Sequence, residues 1–232
     1  MRTAGIRVHH IGHEQRPVIV VDDFLPDAER WVDYAETGEP FRPLPNDYYP
    51  GVRKSCPTQY VDDLRVRYAP LLRETFGLSA MEPQVLFSAL SIAATEPEQL
   101  RPVQRVPHFD TSDPQQLAVV HYLCESSHGG TSFYRHRTTG YETISQDRLH
   151  GYADILKRQV MTEYAPPPKY MDGDNPLFET IASFDAKFNR ALIYPSNVLH
   201  SGNVRHPHAG RSPRTARLTA NTFLKFPAAV ER

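Results

Sequence analysis

Two cysteines in 232 residues, Cys56 and Cys124, are too few for a disulfide scaffold or a zinc knuckle. Scarce cysteine fits a reducing interior, so a cytoplasmic location is expected. The chain also lacks an excess of either charge. Lys plus Arg number 26 against 27 Asp plus Glu. No basic field is available to attract a nucleic-acid backbone, so no nucleic-acid partner is expected. Long apolar runs are missing as well. Residues 1–15 mix Arg, His and Gly without an apolar core, which excludes a signal-peptide reading, and no stretch reaches membrane-spanning length.

What the chain does have is proline, 21 residues of it, clustered between short apolar segments. That spacing implies many short elements joined by turns. The β-branched run Val18-Ile19-Val20-Val21 predicts a strand over residues 17–24. Ala28, Trp31, Val32 and Ala35 recur at helical intervals after Pro26. Residues 40–57 read as loop, with Tyr48-Tyr49-Pro50-Gly51 as its turn. A helix is expected from Thr58 to a C-cap at Gly77, bent or divided at Pro70.

From Pro83 onward strands dominate: residues 85–95, 117–124, 131–136, 177–184, 191–194 and 217–226. One helix interrupts them. Thr143-Ile144-Ser145-Gln146 resembles a capping box, Leu149, Tyr152, Leu156 and Val160 follow at helical spacing, and Pro166-Pro167-Pro168 ends the segment. The expected architecture is a single domain, mainly β with flanking helices. It is a double-stranded β-helix (jelly-roll, cupin-like) barrel. Residues 1–82 form an N-terminal supporting strand and helices. Residues 83–226 form the barrel, and residues 146–168 are a helical insertion lying outside it, with Lys157 and Arg158 in solvent.

Chemistry concentrates at His108-Phe109-Asp110. Ligands one residue apart on an extended chain point to the same side, so both can chelate one ion. A third ligand must come from elsewhere. His200 is the best of the eleven histidines, because it follows the strand-like 191–194 run. Two imidazoles and one carboxylate form a facial triad suited to iron(II), with the opposite face open. The same three groups could also hold zinc and a water for hydrolysis. Without a metal, the barrel would be a binding module.

Further motifs fall in a specific order. His121-Tyr122-Leu123-Cys124 precedes Gly129-Gly130-Thr131-Ser132-Phe133. Leu192-Ile193-Tyr194-Pro195 precedes Leu199-His200-Ser201-Gly202, and a final strand starts at Arg217. This order resembles the prolyl-4-hydroxylase-like branch of the iron(II)/2-oxoglutarate-dependent dioxygenases. In that branch the tyrosine strand, the glycine-pair hairpin and the distal-histidine strand follow the HxD motif. The resemblance implies an oxygenase that uses iron(II), 2-oxoglutarate and dioxygen. It implies His108, Asp110 and His200 as metal ligands. It implies Arg217, Tyr122 and Asn221 as cosubstrate-binding residues. Related halogenases lack the carboxylate ligand, so Asp110 points to hydroxylation of an unactivated carbon.

An arginine fork suits the distal carboxylate of 2-oxoglutarate. Strand parity places Arg217, Thr219, Asn221 and Phe223 on one face. Arg211 and Arg214 are rivals, disfavoured because Pro213 would interrupt a strand holding either. Arg211 and Arg217 also share the R-x5-R spacing of nucleic-acid demethylases in the same superfamily. His206 and His208 read as solvent-exposed or substrate-facing. The expected substrate is a small molecule or a peptide, with no membrane partner, and the 43–56 loop and the 146–168 helix are expected to line the mouth of the site.

Overall fold

A computed structural model describes residues 5–45, 47–79, 81–207 and 212–227. Ten strands form two antiparallel sheets. Those of the larger sheet are β1 (Gly5–Ile11), β2 (Arg16–Asp22), β3 (Gly51–Ser55), β4 (Gln84–Ala93), β5 (Gln116–Tyr122), β8 (Arg190–Pro195) and β10 (Leu218–Lys225), in the spatial order β1-β2-β8-β5-β10-β4-β3. The smaller sheet holds β6 (Thr131–His136), β7 (Phe178–Phe184) and β9 (His200–Gly202), in the order β7-β6-β9. The helices are α1 (Glu29–Glu36), α2 (Thr58–Phe76) and α3 (Gln146–Thr162).

The near-continuous apolar character of the central strands has a simple cause: the large sheet is covered on both faces. Ile19 and Val21 of β2, Leu117 and Val119 of β5, and Ala191 and Ile193 of β8 pack with Trp31 and Val32 of α1 and Leu64 and Leu72 of α2. The alternate residues Val18, Val20, Ala118, Tyr122, Leu192 and Tyr194 face the other way, towards Phe133 of the small sheet. The helices thus hold the large sheet rigid from behind, and the space between the sheets is left for a site. The arrangement is mainly β and cupin-like.

Three local expectations change, and one strand appears that composition did not suggest. Residues 5–11 form an edge strand, although Ile6 and Val8 stay exposed and give no alternating signal. The 40–57 segment contains β3, because Gly51 to Ser55 pair with the edge of β4. α2 runs through Pro70 undivided. The hydrogen bond Pro70 cannot make belongs to the carbonyl of Val66, a residue 81% exposed, so water can satisfy it. The capping box does not form: Ser145 is the N-cap, and the Thr143 hydroxyl bonds Glu14 instead. Gly77, at φ 62°, takes the left-handed C-cap conformation that closes α2.

α3 covers the outer face of the small sheet. Its Tyr152 joins Tyr134 and Phe178 in an apolar cluster, and its Gln159 accepts a hydrogen bond from buried His136 at 2.8 Å. Lys157 and Arg158 lie in solvent. Among the described residues no helix is long and apolar enough to cross a membrane.

Candidate metal centre and anion pocket

His108 and His200 are brought together by the backbone. They form an isolated antiparallel bridge, with His108 N–H donating to the His200 carbonyl at 2.9 Å and the reciprocal bond at 2.8 Å. The Asp110 N–H donates to the Ser196 carbonyl at 2.8 Å, so the whole HxD segment is laid along the chain that carries His200. The two imidazole rings lie 4.4 Å apart between centroids. Asp110 places one carboxylate oxygen 4.0 Å from His108 Nε2 and the other 3.9 Å from His200 Nε2. All three ligand atoms lie within 4.8 Å of one another, close enough to converge on one ion.

The second nitrogen of His200 is already committed. Its Nδ1 is 2.9 Å from the Val198 carbonyl, and a carbonyl can only accept, so Nδ1 carries the proton. The Nε2 lone pair is thereby left to face Asp110 and any metal, the usual way a ligand histidine is fixed in tautomer and orientation. Tyr194 and Phe133 pack around this ring, which is buried. The His108 ring is half open to the cavity, with 52% of its side chain accessible.

Protonation favours ligation. Burial of the His200 ring lowers its imidazole to about 4, and the protein atoms around His108 desolvate it to a similar value although its ring is open to the cavity, with the neighbouring His200 adding to the effect. Burial raises the Asp110 carboxyl to about 6 against the opposing pull of His108 and Arg53. At pH 7 the set is therefore two neutral imidazoles and one carboxylate, the forms that bind a divalent cation.

The triad opens into a cavity of about 520 Å³ between the sheets. Arg217, 5% exposed and just before β10, lines the same cavity. Its guanidinium donates to the Gly130 carbonyl at 2.8 Å and lies over the ring of Tyr122, but its Nε has no partner. No acidic side chain pairs with it among the described residues. A buried, uncompensated cation is costly unless an anion completes the site.

The glycine pair explains how this part of the cavity is built. A Cβ on Gly129 would come within 1.6 Å of the Asn203 carbonyl oxygen, and one on Gly130 within 1.9 Å of that of Phe184. Only glycine allows three chain segments to close around Arg217 in this way. The segment is not the hairpin expected from sequence. β5 belongs to the large sheet and β6 to the small one, so the glycines carry the chain across from one to the other.

Each anticipated cosubstrate residue has a distinct setting. Arg217, Thr219, Asn221 and Phe223 all line the cavity, as strand parity requires. Tyr122 does not reach the cavity surface. It is fully buried, and its hydroxyl shares a 2.6 Å hydrogen bond with that of Thr131, which does line the cavity. Arg214 is at the surface, ion-paired with Glu29, Asp33 and Glu36 around α1. Arg211 and His208 lie outside the described residues. His206 is exposed, with its ring 6.4 Å from that of His128.

Residues of the 43–56 segment and of α3, both expected at the mouth of the site, line the cavity, but through side chains that the sequence did not single out. Arg53 of β3 points into the cavity, ion-pairs with Asp47 at 2.5 Å and lies over the rings of Tyr49 and Phe87. Tyr49 itself lines the cavity, as do Tyr152 of α3 and Tyr170. The Arg101 and Gln104 side chains donate to the Asp47 and Tyr48 carbonyls, and the Tyr170 hydroxyl donates to that of Thr95. Once β3 is recognised, its two-residue period is the signal that would have found Arg53.

The sequence matches none of the curated proteins. Solved structures align over nearly the whole chain at low identity. AviO1 from Streptomyces viridochromogenes Tue57 is 13% identical, with a TM-score of 0.50 over 93% of this chain and 92% of its own. SnoK, described as a non-heme alpha ketoglutarate dependent carbocyclase from nogalamycin biosynthesis, is 10% identical, with a TM-score of 0.50 over 94% and 85%. HygX from Streptomyces hygroscopicus, solved with nickel and 2-oxoglutarate bound, is 9% identical, with a TM-score of 0.49 over 91% and 84%. At these identities the likeness is one of fold. The model of the Family of unknown function (DUF6445) matches residues 2–224, and the chain belongs to that family.

Proposed function

We propose that this protein is a non-haem iron(II)/2-oxoglutarate-dependent oxygenase of the prolyl-4-hydroxylase-like branch, hydroxylating an unactivated carbon of a small-molecule or peptidyl substrate. The observation that carries the reading is the pairing of two features in one cavity. One is a His-Asp-His set in ligating form, and the other is a buried arginine without a counter-charge. 2-Oxoglutarate matches both, since its keto acid can chelate a metal while its distal carboxylate meets Arg217. A zinc hydrolase would leave Arg217 without a role. SnoK, with which the chain shares its fold, is described as using the same cosubstrate class.

His108, Asp110 and His200 would hold iron(II) on one face and leave the other face open. When bound, iron and 2-oxoglutarate supply oxidative decarboxylation coupled to removal of hydrogen from the substrate. The chain's own residues orient and shield. The Val198 carbonyl fixes the His200 tautomer. Arg217 and Asn221 receive the cosubstrate, and Tyr122 supports that end through Thr131. Phe109, Tyr152, Leu156 and Val106 give the cavity apolar walls that limit water near the reacting centre. The near-neutral overall charge supports a substrate other than nucleic acid, and the reducing-compartment reading of the two cysteines supports a cytoplasmic enzyme.

Succinate release tests the proposal. Purified protein supplied with iron(II), 2-oxoglutarate and dioxygen should form succinate slowly even without substrate. Asp110→Ala should abolish that signal. A wild-type protein that binds iron but forms no succinate under these conditions contradicts the reading.

A further inference from the structure

The anion pocket of the cavity contains more unmet polar capacity than Arg217 alone. The Tyr49 hydroxyl and Thr219 Oγ1 are buried and, like Arg217 Nε, find no well-aligned partner; the two hydroxyls meet only one another. All three residues line the same cavity. Tyr49 feels both partners: burial raises its hydroxyl pKa, and Arg217, Arg53 and the Thr219 hydroxyl pull it back. Buried polar atoms are nearly always satisfied, and two hydroxyls that meet only one another keep a hydrogen to spare beside the unpaired Arg217 Nε, so the group implies a ligand that satisfies it. One hydroxyl hydrogen and the Arg217 Nε–H are free to donate, and the guanidinium carries a positive charge. A carboxylate, which accepts at about four lone-pair sites, answers all of them. Tyr122, by contrast, already spends its hydroxyl on Thr131.

We infer that Tyr49 and Thr219 complete the carboxylate pocket with Arg217, so that the tyrosine donating to the cosubstrate comes from the segment before β3 rather than from β5. This rests on the proposed function. It has a consequence for the cavity wall. Tyr49 sits in the 47–50 segment, held by Arg101 and Gln104 at its backbone and stacked under Arg53. A carboxylate bound to Tyr49 fixes the wall from inside, so cosubstrate binding shapes the surface that the substrate meets.

Calorimetric titration of the manganese(II)-loaded protein with 2-oxoglutarate under anaerobic conditions reads the site without turnover. Losing a hydrogen bond to a charged group should weaken binding about ten- to hundred-fold in Tyr49→Phe, and by a similar factor in Thr219→Val. Tyr122→Phe should change it by less than about three-fold. Hydrogen exchange of residues 47–53 should slow on 2-oxoglutarate addition in the wild type and not in Tyr49→Phe. Thr219→Val serves as the independent arm if Tyr49→Phe melts early. If the wild type binds 2-oxoglutarate and both Tyr49→Phe and Thr219→Val match it, or if Tyr122→Phe is the damaging change, the inference is wrong while the oxygenase reading stands. If the manganese-loaded wild type does not bind 2-oxoglutarate, the oxygenase reading fails and the inference fails with it.

Discussion

The two faces of β10 follow opposite rules. On one face Leu218, Ala220 and Leu224 are fully buried against the helices, and the polar side chain among them, Thr222, shares a 2.8 Å hydrogen bond with the Ser88 hydroxyl. On the other, Arg217, Thr219, Asn221 and Phe223 face the cavity, and Arg217 and Thr219 retain unmatched polar atoms. The same strand with the same hydrogen-bonded neighbours is complete as structure on one side and incomplete without a ligand on the other. The histidines repeat the contrast. His121 is buried on the helix-covered face with Tyr60 at one ring nitrogen and Asn189 at the other, and needs no third partner. His200 is equally buried, yet only its Nδ1 is used. Burial therefore does not mark function here. What marks the site is that several unsatisfied buried polar groups line one cavity.

Changes on the cavity face should remove ligand binding and spare stability. The largest effect is expected for His108→Ala and His200→Ala, each of which should abolish iron binding in a calorimetric titration while the melting temperature stays close to wild type. An unaltered iron isotherm in either variant removes that residue from the site. Next comes Arg217→Met. Leaving a carboxylate without its fork in a desolvated pocket costs about 2–5 kcal/mol, a thirty-fold to several-thousand-fold rise in the 2-oxoglutarate requirement. Arg214→Met, only three positions away, should leave that requirement unchanged, because its ion pairs around α1 are at the surface. If Arg214→Met gives the large effect instead, the assignment of the two faces is wrong.

Changes on the helix-covered face should do the reverse. Leu64→Ala deletes a fully buried side chain between α2 and the large sheet. It should cost about 2–5 kcal/mol in denaturant unfolding without altering iron affinity. Weaker iron binding at full occupancy of the folded state would show that the two faces are coupled. The smallest effect is expected at Asp22, on the rim of the large sheet. Hydrogen bonds from Arg190 and Arg7 hold its carboxyl well below the usual carboxylate range. A depressed folded-state pKa stabilises above the unfolded value near 3.9 and stops doing so as pH falls through the folded value. Asp22→Asn should thus cost about 1–3 kcal/mol at pH 7 and progressively less at pH below about 4. A cost that is independent of pH would assign the effect to packing.

Much of this was legible because period and parity survive in short apolar segments. The Val18–Val21 run, the Thr58 to Gly77 helix and the β6 boundaries follow from local chemistry alone. The HxD motif, read with His200, named three residues whose ligand atoms the structure brings together. Parity also put Arg217 and Asn221 on one face of their strand, and that face lines the cavity. What was not legible depended on partners distant in sequence. β1 and β3 are edge strands whose pairing, not their composition, makes them strands. Tyr49 and Arg53 were hidden with them, since a Tyr-Tyr-Pro-Gly sequence reads locally as a turn. The crossing of the glycine pair between sheets was hidden too, because the carbonyls it must clear, those of Asn203 and Phe184, lie more than fifty residues downstream.

The account stands or falls on what occupies the metal set and the anion pocket of the cavity, and a crystal structure of the protein loaded anaerobically with iron(II) and 2-oxoglutarate reads both at once. One metal ion should lie among His108, Asp110 and His200, with the distal carboxylate of 2-oxoglutarate against Arg217. A metal bound elsewhere, or a carboxylate turned to Arg53 with Arg217 still unpaired, would contradict it.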